Sequence, residues 1–352
     1  MANSIGIYVH HHGDGHLQRA LAIAHQAPDC FTLLGSGLRG RTGTIACVDL
    51  PDDGPSHGPA QMPTSLHPAL HYAPVYHEAV RKRNQLIVSW IEATKPLLLL
   101  VDVSVEIAVL AQLCATPFVY TRLSGRRDDK AHHYIFKAAE ALFCPFHVAL
   151  DSPQTPHWVR AKTKYFAGLS KAPPPQKCQE KNLVFVVGRG GHTIAPTQWL
   201  ELAKQLDDWQ IDVLGPVHPQ RGGPNNLTFH GWVNDPTAYM ARAQVVAGPC
   251  GDGLLSDVCA LGKPFIALPQ RRPYEEQLDK ARQLAARGAA VVCEVWPQVW
   301  RHVVSRALQL GNVLSCFYDD RAAHEAADYL LYLAHHRSVA TGWTKQGVAY
   351  VY

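Results

Sequence analysis

Gly248-Pro-Cys-Gly-Asp-Gly-Leu-Leu-Ser-Asp257, then Ala260-Leu-Gly-Lys-Pro-Phe-Ile-Ala-Leu-Pro269, then Glu275-Glu-Gln277, is the stretch on which the reading of this chain turns. A short β-rich run at 245–247 stops at a Gly-rich turn, and a helical segment at 253–261 follows until Gly262 and Pro264 end it. A second apolar run, 265–268, stops at Pro269, and a further helix is expected over 274–287. Strand, loop, helix, strand is the repeating unit of a parallel sheet with helices on both faces. In such open sheets ligands bind beyond the carboxyl ends of the strands. Glycine there lets backbone approach a ligand, and a helix N-terminus offers unpaired N–H groups and a positive dipole end to an anion. Gly251, Asp252, Gly253 and Leu254 therefore read as a diphosphate cradle. Asp257 falls about one turn into the helix, where a carboxylate can accept from both hydroxyls of a ribose. Glu276 and Gln277 open the next helix on the same crevice and can bind sugar hydroxyls. The bland alternative makes Asp257 and Glu276 solvated helix residues.

Outward from this stretch the same alternation continues. Strands are expected at 183–187, 211–214, 227–229 and 290–292, with helices at 197–206, 236–242, 299–310 and 322–335. The loop Gly188-Arg-Gly-Gly-His192 follows a strand and precedes a helix. Gly188, Gly190 and Gly191 suit a pyrophosphate and Arg189 would add charge, although a plain turn fits equally well. Toward the N-terminus, strands are expected at 5–9, 31–34, 45–50, 97–101 and 118–120, and helices at 17–26, 78–94, 105–114 and 131–142. The result is an α/β chain with two doubly wound Rossmann-like domains facing across a cleft. Ala172-Pro-Pro-Pro-Gln176 is a stiff connector. The expected division is an N-terminal domain 1–170, a linker 171–181, a C-terminal domain 182–335, and a tail 336–352 returning to the first domain.

In the first domain, His10-His-His-Gly-Asp-Gly-His16 lies between a strand and a helix. Gly13 and Gly15 bring backbone to an anion. A surface turn is the plain alternative, and a metal on His10, His12 and His16 fits no standard spacing, so no metal is expected. Asp102 ends an apolar strand. It either orients His16, acts as a base itself, or caps the helix starting near 105; Glu106 is weighed beside it. The basic loop 121–127 on the same rim meets a charged acceptor or is solvated. The Pro-, Gly- and His-rich stretch 51–74 is long for a structureless loop, which marks it as functional.

With 352 residues, two domains of ordinary size are accommodated. A net charge of +4 with no Lys/Arg run excludes nucleic acid as the expected partner. Nine scattered Cys with no C-x-x-C pair read as reduced thiols. Residues 1–4 run directly into a strand with no basic-then-apolar leader, and no apolar run nears the ~20 residues of a membrane span. A cytoplasmic chain is expected.

Gly251/Gly253, Asp257, Ala260-Leu-Gly-Lys-Pro264, Leu268-Pro269 and Glu276-Gln277 together resemble the donor-binding region of family 28 glycosyltransferases, such as the peptidoglycan N-acetylglucosaminyltransferase and plant galactolipid synthases. Phe229-His-Gly-Trp-Val-Asn-Asp235 resembles the family loop whose backbone reads the nucleobase, which brings in Trp232 and Val233. Gly13-Asp-Gly-His16 resembles the family's Gly-Gly-His loop. Asp257 stands where the family usually has Glu, Glu276 where it has Gln, and Asp14 where it has a small residue.

The resemblance implies a GT-B fold and an inverting, metal-independent hexosyl transfer from a nucleotide-diphosphate sugar, UDP-linked, to a hydroxyl acceptor. It implies no cofactor beyond that co-substrate, and no D-x-D triplet occurs. His16, His12 and Asp14 are base candidates, His16 first, since imidazole titrates near neutrality; orienting the diphosphate is its competing role. A small-molecule or lipid-linked acceptor is implied, the latter at the inner membrane face through exposed apolar residues near 51–74. A sugar-nucleotide epimerase and a non-catalytic nucleotide-sugar-binding subunit share these features. An NAD-linked dehydrogenase does not, because G-x-G-x-x-G is missing.

Overall fold

The computed structural model describes residues 5–11, 13–54, 68–170, 173, 176–188, 194–217 and 223–340. Among these, seven parallel strands make a first sheet ordered β3-β2-β1-β4-β5-β6-β7. They are β1 (Ile5–Val9), β2 (Phe31–Ser36), β3 (Ala46–Leu50), β4 (Leu98–Asp102), β5 (Phe118–Thr121), β6 (Leu142–Cys144) and β7 (Thr163–Tyr165). Side chains alternate across a strand, and here both faces are apolar. Ile5, Ile7, Leu98 and Leu100 pack with Leu17 and Leu21 of α1 (Asp14–Ala24). Tyr8, Leu99 and Val101 pack on the opposite face with α2 (Glu78–Thr94), α3 (Val105–Leu113) and α4 (Lys130–Ala138). A short α5 (His157–Ala161) precedes β7.

The second sheet has six described strands, ordered β10-β9-β8-β11-β12-β13. These are β8 (Asn182–Val186), β9 (Gln210–Leu214), β10 (Leu227–Gly231), β11 (Val245–Gly248), β12 (Phe265–Ala267) and β13 (Val291–Val292). Leu183, Phe185 and Ile266 face α6 (Pro196–Gln205) and α10 (Trp300–Leu310). Val184, Val246 and Phe265 face α7 (Thr237–Arg242), α8 (Asp252–Leu261) and α9 (Glu276–Ala286). In each sheet the strand order reverses once, between β1 and β4 and between β8 and β11. The loops carrying the sequence signals leave the sheets at those reversals, where an open sheet leaves a crevice.

Three expectations are corrected. The helix expected over 131–142 ends at Ala138, and β6 follows. Glu140 N donates to Phe118 O at 2.8 Å and Leu142 N to Lys162 O at 3.0 Å, so burial of Leu142, Phe143 and Cys144 between neighbouring strands overrides helical spacing. The helix expected from 274 starts at Glu276, because Tyr274 and Glu275 are left-handed, with φ of 63° and 55°. The C-terminal helix α11 (Ala322–Ala340), expected within the second domain up to 335, packs on the first. Ala322, Ala326, Ala327, Leu330 and Ala334 join the core of Ile5, Leu17 and Phe166. The chain crosses back before 322, alongside its outward crossing: Asp319 N donates to Ala167 O at 2.7 Å. Gly168 there has φ 130°, and a Cβ would lie 2.1 Å from Asp319 O, so no other residue fits.

Candidate functional site

Two helix N-termini meet between the sheets. Gly13, at φ 97°, caps α1, and Gly251 caps α8. A Cβ added to Gly15 would touch Gly253 Cα at 3.7 Å, and one on Gly253 would touch Gly15 Cα at 3.5 Å. Backbone thus approaches backbone, and the first-turn N–H groups of both helices converge as an anion site would require. The carboxylates in these first turns are tied aside. Asp14 pairs with Arg41 of the first domain, and Asp252 pairs with the buried Lys280 of α9. Burial would depress the Lys280 pKa; Asp252, with Cys250 and Glu276, together outweighs it, and the ammonium is held above its ordinary range. Asp252 therefore balances a buried charge, which leaves its backbone as its contribution to the cradle.

Behind α1, His16 Nδ1 lies 2.6 Å from Asp102 Oδ2, and Arg19 Nη2 donates to both Asp102 oxygens at 2.8 and 3.0 Å. Asp102 is buried. Burial would raise its pKa, but Arg19 and His16 prevail and hold it well below the usual carboxylate range. Arg19 Nη2 also lies 3.0 Å from His16 Nδ1, but that nitrogen is committed to the carboxylate, and the shorter contact to ionised Asp102 is met by an Nδ1–H that donates to it, which leaves Nε2 as the ring's acceptor. The cap of α3 is Ser104, whose Oγ accepts from Ile107 N at 3.3 Å, so Asp102 has no part in capping. Glu106 accepts from the backbone N–H of His71 and Tyr72 at 2.7 and 2.9 Å and pins that loop.

The second-domain side is a cleft of about 690 Å³ whose lining includes Gly15, Gly188, Trp232, Val233, Gly253, Leu254 and Asp257. Asp257 is half-buried in the cleft wall and accepts a hydrogen bond from Ser170 Oγ of the first crossing. Burial pushes its carboxyl up to about 6 against an ordinary 3.8, with Ser170 opposing. Asp14 and Arg41 stand on the opposite rim of the same cleft.

Gln277 and Glu276 lie outside that lining, and each is already engaged. Gln277 Oε1 accepts from Cys250 N at 3.2 Å and Gln270 N at 2.9 Å, joining the turn after β11 to the loop after β12. Only its amide nitrogen remains to donate. Glu276 pairs with Arg127 Nη2 at 3.1 Å. The loop 121–127, expected to meet a charged acceptor or solvent, instead docks on the second domain: Ser124 Oγ donates to Glu276 O at 2.9 Å and Arg126 N to Tyr274 O at 2.8 Å. Within that loop Arg122 forms a buried two-armed pair with Asp151, at 2.9 and 2.7 Å.

His12, Arg189, Gly190 and Gly191 lie outside the described residues. Among those described, two groups bring three ligand atoms together: His71, Asp129 and His132, and His11, Asp52 and Asp53. In the first, Arg127 Nη1 lies 3.2 Å from His132 Nε2. A guanidinium only donates, so Nε2 accepts and Nδ1 carries the proton toward Asp129, 2.5 Å away. That tautomer leaves no lone pair at Nδ1 for a cation. Burial, then Arg127, push the His132 pKa down to about 4, and the ring stays neutral.

Arg19, Ser170 and Arg127 were missed as site residues. Arg19 carried a signal, one turn beyond His16 on the same helix. Ser170 carried none.

No protein-family model matches the chain, and a search of curated proteins returns no match. Solved structures do match. MurG of Acinetobacter baumannii is 14% identical over 93% of this chain and 99% of its own, with a TM-score of 0.62. The spinosyn forosaminyltransferase SpnP is 11% identical over 97% and 99%, with a TM-score of 0.65. The spinosyn rhamnosyltransferase SpnG, solved with thymidine diphosphate, is 15% identical over 92% and 99%, with a TM-score of 0.60. The chain has the GT-B fold of these glycosyltransferases: two Rossmann-like domains, each a parallel sheet between helices.

Proposed function

We propose that this chain transfers a sugar from a nucleotide-diphosphate sugar, UDP-linked, to an acceptor hydroxyl, with inversion at the anomeric carbon and no metal on the diphosphate. The observation that carries it is the meeting of two helix N-termini, at Gly15 and Gly253, beside the His16–Asp102 pair. Diphosphate oxygens take the first-turn N–H groups of α8 and α1. The ribose takes Asp257, and the base lies along Trp232 and Val233, which line the same cleft. His16 Nε2 accepts the acceptor's hydroxyl proton. The acceptor oxygen bonds to the anomeric carbon as the bond from that carbon to the phosphate oxygen breaks. Asp102 stabilises the imidazolium, and the two helix ends stabilise the charge on the departing nucleoside diphosphate.

The acceptor side is the first-domain face around 51–74, part of which lies outside the described residues. Val75 and Tyr76 are exposed at its end, an apolar feature that suits a lipid-linked acceptor at the inner membrane face better than a small soluble one. No described helix is long and apolar enough to cross a membrane.

A thermal-shift screen of UDP- and TDP-sugars tests the donor, followed by chromatography of products with donor alone and with candidate acceptors. A stabilising nucleotide-sugar that is transferred or slowly hydrolysed is expected. If none shifts the melting temperature and none is turned over, the reading fails; an epimerised donor without acceptor makes the chain an epimerase.

A further inference from the structure

Glu276, read from the sequence as an acceptor for the donor's sugar hydroxyls, is held by the first domain. The Arg127 side chain is almost fully buried, and each of its three nitrogens has a partner. Nε donates to Leu123 O at 3.3 Å, Nη1 to His132 Nε2 at 3.2 Å and Nη2 to Glu276 Oε2 at 3.1 Å. Its plane lies 4.7 Å from the centre of the Tyr274 ring, which His132 meets edge-on at 4.8 Å. Asp129 anchors His132 in turn and also takes His71 Nε2 at 2.9 Å. A chain of oriented hydrogen bonds in the first domain therefore ends on one carboxylate of the second.

The backbone beneath that carboxylate is strained. Tyr274 and Glu275 occupy consecutive left-handed positions, a conformation that a side-chain-bearing residue adopts only when its surroundings impose it. Those surroundings are the first-domain loop. Ser124 and Arg126 hydrogen-bond the carbonyls of Glu276 and Tyr274. Gly125, at φ 94°, lies so close that a Cβ would sit 2.2 Å from Tyr274 O. Of the nucleotide-facing groups, Trp232 stands on the second domain, Asp257 also takes Ser170 Oγ at the crossing, and Gly253 meets Gly15 of α1.

We infer that Arg127, with the loop 124–127, positions Glu276 for the donor's sugar, so that recognition of the sugar draws on a guanidinium of the first domain. The inference rests on the donor reading above. Arg127 holds Oε2 of Glu276, which leaves Oε1 to accept from a sugar hydroxyl and keeps the buried-side charge neutralised.

Calorimetry on the full chain tests it, with UDP and TDP as sugar-free probes and the most stabilising nucleotide-sugar as the complete one. Arg127→Met should leave nucleoside diphosphate affinity within about twofold and weaken the nucleotide-sugar by about tenfold or more, the scale of a lost charge-assisted bond. Glu276→Gln added to Arg127→Met should cost little further, because both act through one contact. Arg127→Lys keeps the charge and should recover part of the loss. The inference is overturned if both ligands weaken equally, if the two substitutions add fully, or if Arg127→Lys is no better than Arg127→Met. If the unmodified chain binds neither probe, the donor site itself is misread, and the inference falls with it.

Discussion

If Asp257 takes the ribose as proposed, donor binding should depend on pH in a range where few carboxylates titrate. Its carboxyl, pushed up to about 6 by burial, must be ionised to accept hydrogen bonds from two ribose hydroxyls. At pH 7.5 nearly all of the unliganded protein carries the charge; at pH 5 only about one molecule in ten does, so affinity should fall by about tenfold between them. Binding near pH 6 should release roughly half a proton per site. A nucleotide-sugar is the proper probe, because its diphosphate is esterified at both ends and has no group titrating there, whereas a free nucleoside diphosphate does. Calorimetry at pH 5, 6 and 7.5, in two buffers of different ionisation enthalpy, reads both quantities. Stability runs the other way. The folded-state pKa is raised, so protonation stabilises the unliganded fold: that contribution is complete below about pH 4 and is lost as pH rises through about 6. The interval from 3.8 to about 6 is worth about 3 kcal/mol. Affinity that stays flat from pH 5 to 7.5, or a slope that survives Asp257→Asn, refutes the assignment.

His16→Ala and Asp102→Asn should each lower kcat by roughly 10²-fold or more while donor affinity changes by less than about threefold, as single-turnover and binding measurements would show. Arg122→Met strands the buried Asp151 charge and should cost about 3 kcal/mol, the lower end for a broken buried pair because Tyr165, Thr155 and Ser152 still donate to that carboxylate; urea unfolding reads it. Leu330→Ala opens a cavity between α11 and the first sheet and should cost about 2–5 kcal/mol, with amide protection falling in β1 and β4 before β8 and β11.

The sequence made the sheets legible because both are buried on two faces. Runs such as Ile5–Val9 and Leu98–Asp102 admit little but a central strand, and Gly13 and Gly15 after the first of them mark the crevice. The short strands β6 and β7 were hidden because three residues carry no period, and only their neighbours define them. At the site, Asp257 and His16 were visible through type and spacing. Asp102, 86 residues from His16, was visible too, as a carboxylate ending an apolar strand that could orient it, whereas Ser170, 87 residues from Asp257, was not. The left-handed pair at Tyr274 and Glu275 was illegible in principle, since neither residue favours that conformation and the cause lies in another domain. Arg127 was seen as one charge in a basic loop, and nothing local pointed it at Glu276.

The route of α11 makes this molecule a split host with a guest. The first domain is discontinuous, residues 5–170 completed by 322–340, and the second domain is inserted into it through two adjacent crossings. A fragment stopping at residue 170 would leave Ile5, Leu17 and Phe166 without the Leu330 stripe that covers them. The guest's own helices cover both faces of its sheet, with Cys144, Phe146 and Leu150 of the host joining one of them. It is the half made from a single run of chain, exchangeable once that seam is covered again, whereas the host can be assembled only from two separated pieces of chain.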